Sequence, residues 1–393
     1  MSERQAKLLA LAGELADDFA TRAARHDREA SFPVENVERM KETGYTALVI
    51  PERNGGLGAD LIDYALCQER LAQGCAATAL SINMHLFGIG SMVERSAGGP
   101  RDEMFFDLIG RHRRIIGGGI SEPETGGDWG YFATRARRDG DRWVLNGRKV
   151  FTSLSPVIDI FMVMATLEDE SGPPASATFA VPRGAPGAEI VETWDTMAMR
   201  ATASHDLILK DVRLGEAAMS ERRPIGPIDE AGISLFAWFG VSVAAIYTGI
   251  AEAALKFARE FAGRHRPMTL PRPISYLPGT QFAMAEAQAL LAQSRALFFQ
   301  TGAEYMRDPR SFAGAEGLAR VVMPKYVATN NAVRIVDLCM EMVGAHGLHR
   351  KFPLERYYRD VRAGPHHPLS NARARELIGK TALGVSLAEA PRW

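Results

Sequence analysis

Cysteine is scarce in this chain. Cys67, Cys75 and Cys339 are the only three among 393 residues, too few and too widely spaced for a disulfide framework or a zinc site. Each is expected to be a buried thiol. An excess of one charge is also missing. Lys and Arg number 46 against 47 for Asp and Glu, a formal net charge of −1, so electrostatics gives no reason to expect nucleic acid or an anionic membrane as a partner. No run of about 20 apolar residues suggests a bilayer span, and Met1-Ser2-Glu3-Arg4-Gln5-Ala6-Lys7 lacks a long apolar stretch behind its charges, so no signal peptide is expected. Low-complexity tails and internal repeats are absent too. What remains is a chain expected in a reducing cytoplasm, longer than one core usually organises, and so built of two or three domains.

The hydrophobic pattern divides the chain in three. Leu8, Leu9, Leu11, Leu15, Ala16 and Phe19 recur at helical spacing, and similar patterns over 33–44 and 60–72 predict an N-terminal helical domain, 1–114. From 115 to 214 the runs shorten and fill with Val, Ile, Phe and Thr, as in Trp143-Val144-Leu145 and Thr178-Phe179-Ala180-Val181, separated by Gly, Pro and Asp clusters. That predicts a middle β domain. Helical periodicity returns over 231–263, 279–305, 313–343 and 371–387 with Ala-rich faces suited to close packing, predicting a C-terminal helical bundle, 215–393. The proline-rich stretch from Arg264 to Pro273 interrupts it.

The most informative segment is Gly117-Gly118-Gly119-Ile120-Ser121-Glu122-Pro123-Glu124-Thr125-Gly126-Gly127-Asp128. Its glycines permit close backbone approach, Pro123 fixes the turn, and successive amides there can form an anion-binding concavity. An ordinary strand-to-loop turn would read the same way. The segment resembles the Thr-Glu-Pro-x-x-Gly-Ser-Asp flavin loop of the acyl-CoA dehydrogenase family, and further landmarks of that family follow in order. Asn146-Gly147-Arg148-Lys149-Val150-Phe151-Thr152-Ser153 is similar to its Asn-Gly-x-Lys strand, and Met197-Ala198-Met199-Arg200-Ala201-Thr202 to its Gly-Met-Arg turn. Gly344-Ala345-His346-Gly347, Pro353-Leu354-Glu355-Arg356 and Arg359-Asp360-Val361-Arg362 resemble its last helix connection, and Pro51-Glu52-Arg53-Asn54-Gly55-Gly56-Leu57-Gly58 its first turn. The likeness spans nearly the whole chain.

The resemblance implies an α+β fold of N-terminal helices, a middle β-barrel-like domain and a C-terminal four-helix bundle, with FAD as cofactor. It assigns Gly119, Ile120, Ser121, Gly126 and Gly127 to the flavin loop, Phe151 to the flavin face and Ser153 to a hydroxyl near N5. It also implies a homodimer or homotetramer, in which Arg264 or Arg266 and the Gly344 to Gly347 turn complete the flavin site of a neighbouring subunit. The implied reaction is α,β-dehydrogenation of a thioester-linked acyl group, on CoA or a carrier protein, with electron-transfer flavoprotein or oxygen as acceptor.

The departures matter as much. Counting from Arg359 to the family's usual catalytic glutamate lands on Pro368, which has neither a carboxylate nor an N–H. The family's alternative base position, early in the first C-terminal helix, falls on Phe239, with Trp238 and Gly240 beside it. Two imidazoles adjoin the gap, so His367, with His366 second, is the expected proton acceptor at an ordinary pKa near about 6.5; a solvated His-His-Pro turn is the other reading. A flavin monooxygenase, a lyase-type relative and a non-catalytic partner subunit all stay open on this sequence.

Overall fold

The computed structural model describes residues 2–125, 132–168, 174–225 and 228–390. Five helices open the chain: α1 (Glu3–Glu29), α2 (Val34–Thr43), α3 (Leu61–Gly74), α4 (Ala76–Arg95) and α5 (Pro100–Gly110). Each of α1 and α3 starts on a capping box: Ser2 Oγ accepts from Gln5 N while Gln5 answers the Ser2 amide, and Asp60 and Asp63 do the same. Leu8, Ala12, Leu15, Ala16, Phe19 and Ala23 form the buried stripe of α1, the period the sequence shows. Helix α4 lies outside the expected helices. Periodicity does not mark it because it is buried nearly all round from Ala76 to Ser91, so it has no polar face to mark a period.

Among the described residues eight strands follow: β1 (Ile116–Gly119), β2 (Arg135–Asp139), β3 (Arg142–Thr152), β4 (Ile160–Leu167), β5 (Ala175–Pro182), β6 (Ala188–Val191), β7 (His205–Gly215) and β8 (Met219–Pro224). They form one sheet in the order β6-β7-β3-β2-β4-β5-β8, with β1 parallel to β4. Alternation sets its interior: Trp143 and Leu145 of β3, Phe161, Val163 and Ala165 of β4 and Phe179 and Val181 of β5 bury one face. The sheet runs past the expected boundary at 214, because Met219 and Ser220 pair with Phe179 and Thr178 of β5. The short, polar run of β8 conceals it in the sequence.

The chain then returns to helix in α6 (Glu230–Arg264), α7 (Pro278–Arg307), α8 (Gly314–Val343), α9 (Leu354–Asp360) and α10 (Asn371–Leu383). Asp229 caps α6 by accepting from Gly232 N. The last helix stops short of the expected 387, on Gly384 in the left-handed conformation (φ 68°). Helix α6 runs through the middle of the molecule, packed on α3, α4, α7 and α8. A glycine permits one of these approaches: a Cβ at Gly249 would lie 2.2 Å from the Glu69 carbonyl oxygen of α3. Helices α4 and α6 are apolar and long enough to cross a membrane, but their apolar windows are 78% and 94% buried inside the protein, as core helices are.

Two hydrophobic cores result. One joins the N-terminal helices to α6, α7, α8 and α10, reaching from Leu8 to Leu377; the other lies within the sheet.

Candidate active site

A cavity of about 270 Å³ opens where the three parts of the chain meet. Strand β1 and its continuation supply Gly118, Ile120 and Ser121, the end of β3 supplies Val150, Phe151 and Ser153, and the turn before β7 supplies Trp194, Met199, Thr202 and Ser204. Leu80, Met84 and Phe87 of α4 and Leu235, Phe236 and Phe239 of α6 form an apolar wall, closed by Ala363, His366, His367 and Pro368 after α9. No carboxylate lines the cavity among the described residues.

The β side of the cavity presents an open aromatic ring beside a run of hydroxyls. Phe151 adopts φ 58° at the bulged end of β3, which turns its ring out of the strand, edge-on to Trp194 at 6.0 Å between centroids. It remains 63% exposed, in a chain that buries Trp143, Phe179 and Phe161 almost completely. An aromatic side chain held open over a cleft fits a planar ring system such as a flavin. Beside it a hydroxyl chain runs from Ser153 Oγ to Ser204 Oγ at 2.8 Å and on to Thr202 Oγ1 at 2.7 Å, supplying hydrogen-bonding groups at the edge of that ring.

The loop carrying Ser121 rests on an ion pair. Glu122 and Lys149 have fully buried side chains with Nζ 2.7 Å from Oε1. Glu122 also accepts the amides of Ala133 and Thr134, at 2.5 and 2.8 Å, while Lys149 donates to the Met164 carbonyl at 2.5 Å. Burial opposes ionisation of Glu122, but its bonds to Lys149 and Thr134 hold its carboxyl below the usual carboxylate range. Burial brings Lys149 down to about 8 against the pull of Glu122. The Glu of the Ser-Glu-Pro loop and the Lys of the Asn-Gly-Arg-Lys strand are therefore partners. Sequence inspection names both motifs and gives no sign of the pairing.

On the helical side, the Tyr247 hydroxyl of α6 lies 2.8 Å from His367 Nε2. Burial, then the Lys325 charge, then His366 push the His367 imidazole down to about 3. The expected proton acceptor started from an ordinary imidazole near about 6.5, whereas burial disfavours the charged form of this ring. His366 reaches the same cavity from the exposed edge of the turn. Tyr247 escapes sequence reasoning because it sits among apolar residues of α6, 120 positions from its partner.

The remaining expected site residues divide by place. Ile120, Ser121, Phe151 and Ser153 line the cavity; Gly119 does not. Strand alternation turns Gly119 inward, where a Cβ would meet Val163 at 3.2 Å, and presents Gly118 instead. Gly126 and Gly127 lie outside the described residues. Arg264, Arg266, Gly344 and Gly347 are absent from the cavity wall, but they converge elsewhere: His265 and His346 lie with ring centroids 5.0 Å apart, joining the end of α6 to the turn after α8. Gly344 ends α8 with φ 64°, and a Cβ at Gly347 would press on Met340 Sδ at 2.9 Å. His85 adjoins a smaller neighbouring cavity and is satisfied: Nδ1 accepts from Ile116 N at 3.0 Å and Nε2 donates to the Thr46 carbonyl at 2.9 Å.

Comparison with known proteins agrees with this architecture part by part. The acyl-CoA dehydrogenase N-terminal domain model matches residues 2–97, the middle domain model 117–212 and the C-terminal domain model 241–372. YdbM of Bacillus subtilis (strain 168), provisionally named as an acyl-CoA dehydrogenase, is 38% identical over 93% of this chain and 94% of its own. Among solved structures, KijD3 in complex with FMN and a dTDP-linked amino keto sugar superposes with a TM-score of 0.88 at 25% identity, covering 99% of this chain and 96% of its own. The nitrososynthase of Micromonospora carbonacea var. africana gives 0.87 at 26% identity, covering 98% of both chains. With all three of its parts matched in order, the chain belongs to the acyl-CoA dehydrogenase family of flavin-dependent oxidoreductases.

Proposed function

We propose that this protein is a flavin-dependent monooxygenase acting on a small, largely apolar substrate, with oxygen as the electron acceptor. The observation that carries the reading is the chemistry of the cavity wall beside His367. Dehydrogenation of a thioester-linked acyl group needs a group to take the α-proton, and the wall offers Pro368 at the place counted for it, no described carboxylate, and an imidazole pushed down to about 3.

The Tyr247–His367 contact favours a different role for the ring. A buried hydroxyl hydrogen needs an acceptor, and His367 Nε2 is the one the Tyr247 hydroxyl has among the described residues. Tyr247 therefore donates to Nε2, which places the ring hydrogen on Nδ1. Nδ1 has no protein partner among the described residues, and the ring lines the cavity. In this reading Nδ1–H donates to an oxygen atom held there. Phe236, Phe239, Leu80 and Met84 keep water from it, and Ser121, Phe151 and Ser153 hold the flavin. FAD is the cofactor expected from the family, and the bound flavin supplies two-electron redox chemistry between a reductant and oxygen. Arg264, Arg266 and the Gly344 to Gly347 turn, gathered away from the cavity, serve a neighbouring subunit in this reading.

The test is anaerobic addition of a panel of acyl thioesters to the yellow protein, followed by chemical reduction and exposure to ¹⁸O₂ with candidate apolar substrates. The expected result is a flavin left oxidised by every thioester and one ¹⁸O atom in a product. Rapid bleaching by a thioester would return the protein to the dehydrogenases.

A further inference from the structure

Lys325 of α8 is 1% exposed, and its amine makes one hydrogen bond among the described residues, to the Leu369 carbonyl oxygen at 2.8 Å. Among the described residues no carboxylate pairs with it. Burying a cation without a counter-ion is costly, and burial brings this one down to about 7. A side chain kept at such a cost invites a functional explanation, and the place of Leu369 supplies one: it directly follows His366, His367 and Pro368 of the cavity wall.

The same turn is fixed to α8 at two further points. Gly364 lies against Thr329 and Tyr247, where a Cβ would come within 2.8 Å of both. Asn330 and Asn371 exchange hydrogen bonds at 2.8 and 3.2 Å. Lys325 holds the stretch between them through the Leu369 carbonyl. The groups facing that ring are Tyr247 and Phe239 from α6, Lys325 from α8 and His366 from its own turn. Of these, Lys325 and His366 are the ones able to carry positive charge, and a nearby cation opposes a second one.

We propose that Lys325 is a positioning residue: it ties the His366, His367 and Pro368 turn to α8 through the Leu369 carbonyl, and in its charged form it adds to burial in opposing a charge on the His367 ring. The role goes beyond the oxygenation reading and does not rest on it, since either flavin reaction would use the same wall.

The test uses the full-length flavin-bound protein, its Lys325→Met and Lys325→Gln variants, amide hydrogen exchange, and histidine-selective NMR between about pH 4 and 8. Lys325→Met removes both tie and charge. Exchange over 366–370 should quicken by about tenfold to a hundredfold, the range for loss of a charge-assisted hydrogen bond. The His367 ring should protonate at a higher pH than in the wild type, because a nearby cation that opposes its charge is gone. Lys325→Gln keeps a neutral donor for Leu369, so exchange should stay near wild type while the ring shifts as in the Met variant. Wild-type exchange and wild-type ring behaviour in Lys325→Met would overturn the proposal. If that variant does not fold, an unshifted ring in Lys325→Gln does the same. Neither readout needs turnover, so failure here is separate from failure of the oxygenation reading.

Discussion

Tyr247 and His367, 120 residues apart, share one hydrogen bond of 2.8 Å, and it decides which ring nitrogen carries the hydrogen. Tyr247→Phe keeps the aromatic packing and removes the donor. Turnover is expected to fall about tenfold, near the upper end for one net hydrogen bond of about 0.5–1.5 kcal/mol, with flavin retained. Steady-state rates and the visible spectrum of the variant check this. Unchanged turnover would show that the pair orients nothing the reaction uses.

Because the His367 imidazole lies at about 3, it stays neutral across the physiological range. Its titration should leave no break in kcat/KM near pH 6.5. The consequence for stability has a definite sign. A histidine whose folded pKa is depressed binds fewer protons folded than unfolded, so the protein loses stability as pH falls below about 6.5. His367→Gln should reduce that loss, read as urea midpoints between about pH 4 and 7. An equally steep loss in the variant would assign it to other groups.

Asp360 has the opposite sign. Burial lifts its carboxyl to about 6 despite the Met199 amide at 2.7 Å and the nearby Arg356. The native state then binds more protons than the unfolded one, and this group's contribution to stability falls as pH rises from about 4 to 6. Asp360→Asn keeps an oxygen for the Met199 amide and should flatten that part of the profile. Melting temperatures of the two proteins at about pH 4 and 7 measure it.

Breaking the Glu122–Lys149 pair on one side leaves a buried charge alone. Lys149→Met should cost about 3–5 kcal/mol and release flavin, since the Ser121 loop rests on Glu122. The Glu122→Gln, Lys149→Met double variant should be more stable than Lys149→Met. Denaturant titration of the three proteins tests the order, and additive losses would mean the pair is not coupled.

At the flavin edge, Ser153→Ala should weaken binding about two- to tenfold, the worth of one hydrogen bond. Phe151→Ala, which removes the open aromatic face, should weaken it more. Fluorescence titration of apoprotein with FAD and with FMN gives both numbers. Wild-type affinity in Phe151→Ala would remove that ring from the site.

The sequence made some features legible and hid others for physical reasons. Capped, one-sided helices such as α1 carry their period openly, whereas β4 reads as a continuous apolar run although its burial alternates. Helix α4 does not, because burial on every side erases the polar face. Phe151, Ser153 and Ser121 were readable from motif spacing, and the structure brings them to one cavity. Gly119 does not line that cavity and its neighbour Gly118 does, because one position along a strand changes the face. The charge state of His367 was not readable at all, because it depends first on burial and then on Lys325, which only the fold supplies.

The shared core of the two helical regions also bears on the order in which the chain assembles. The sheet buries Trp143, Phe161 and Phe179 within a continuous stretch, so its contacts close short loops. Helices α3 and α4 must instead find α6 across the whole intervening sheet, and long loops close late and slowly. A nascent chain would therefore expose the apolar flanks of α3 and α4 until α6 has been made. During that interval the N-terminal third is the part most dependent on chaperone protection.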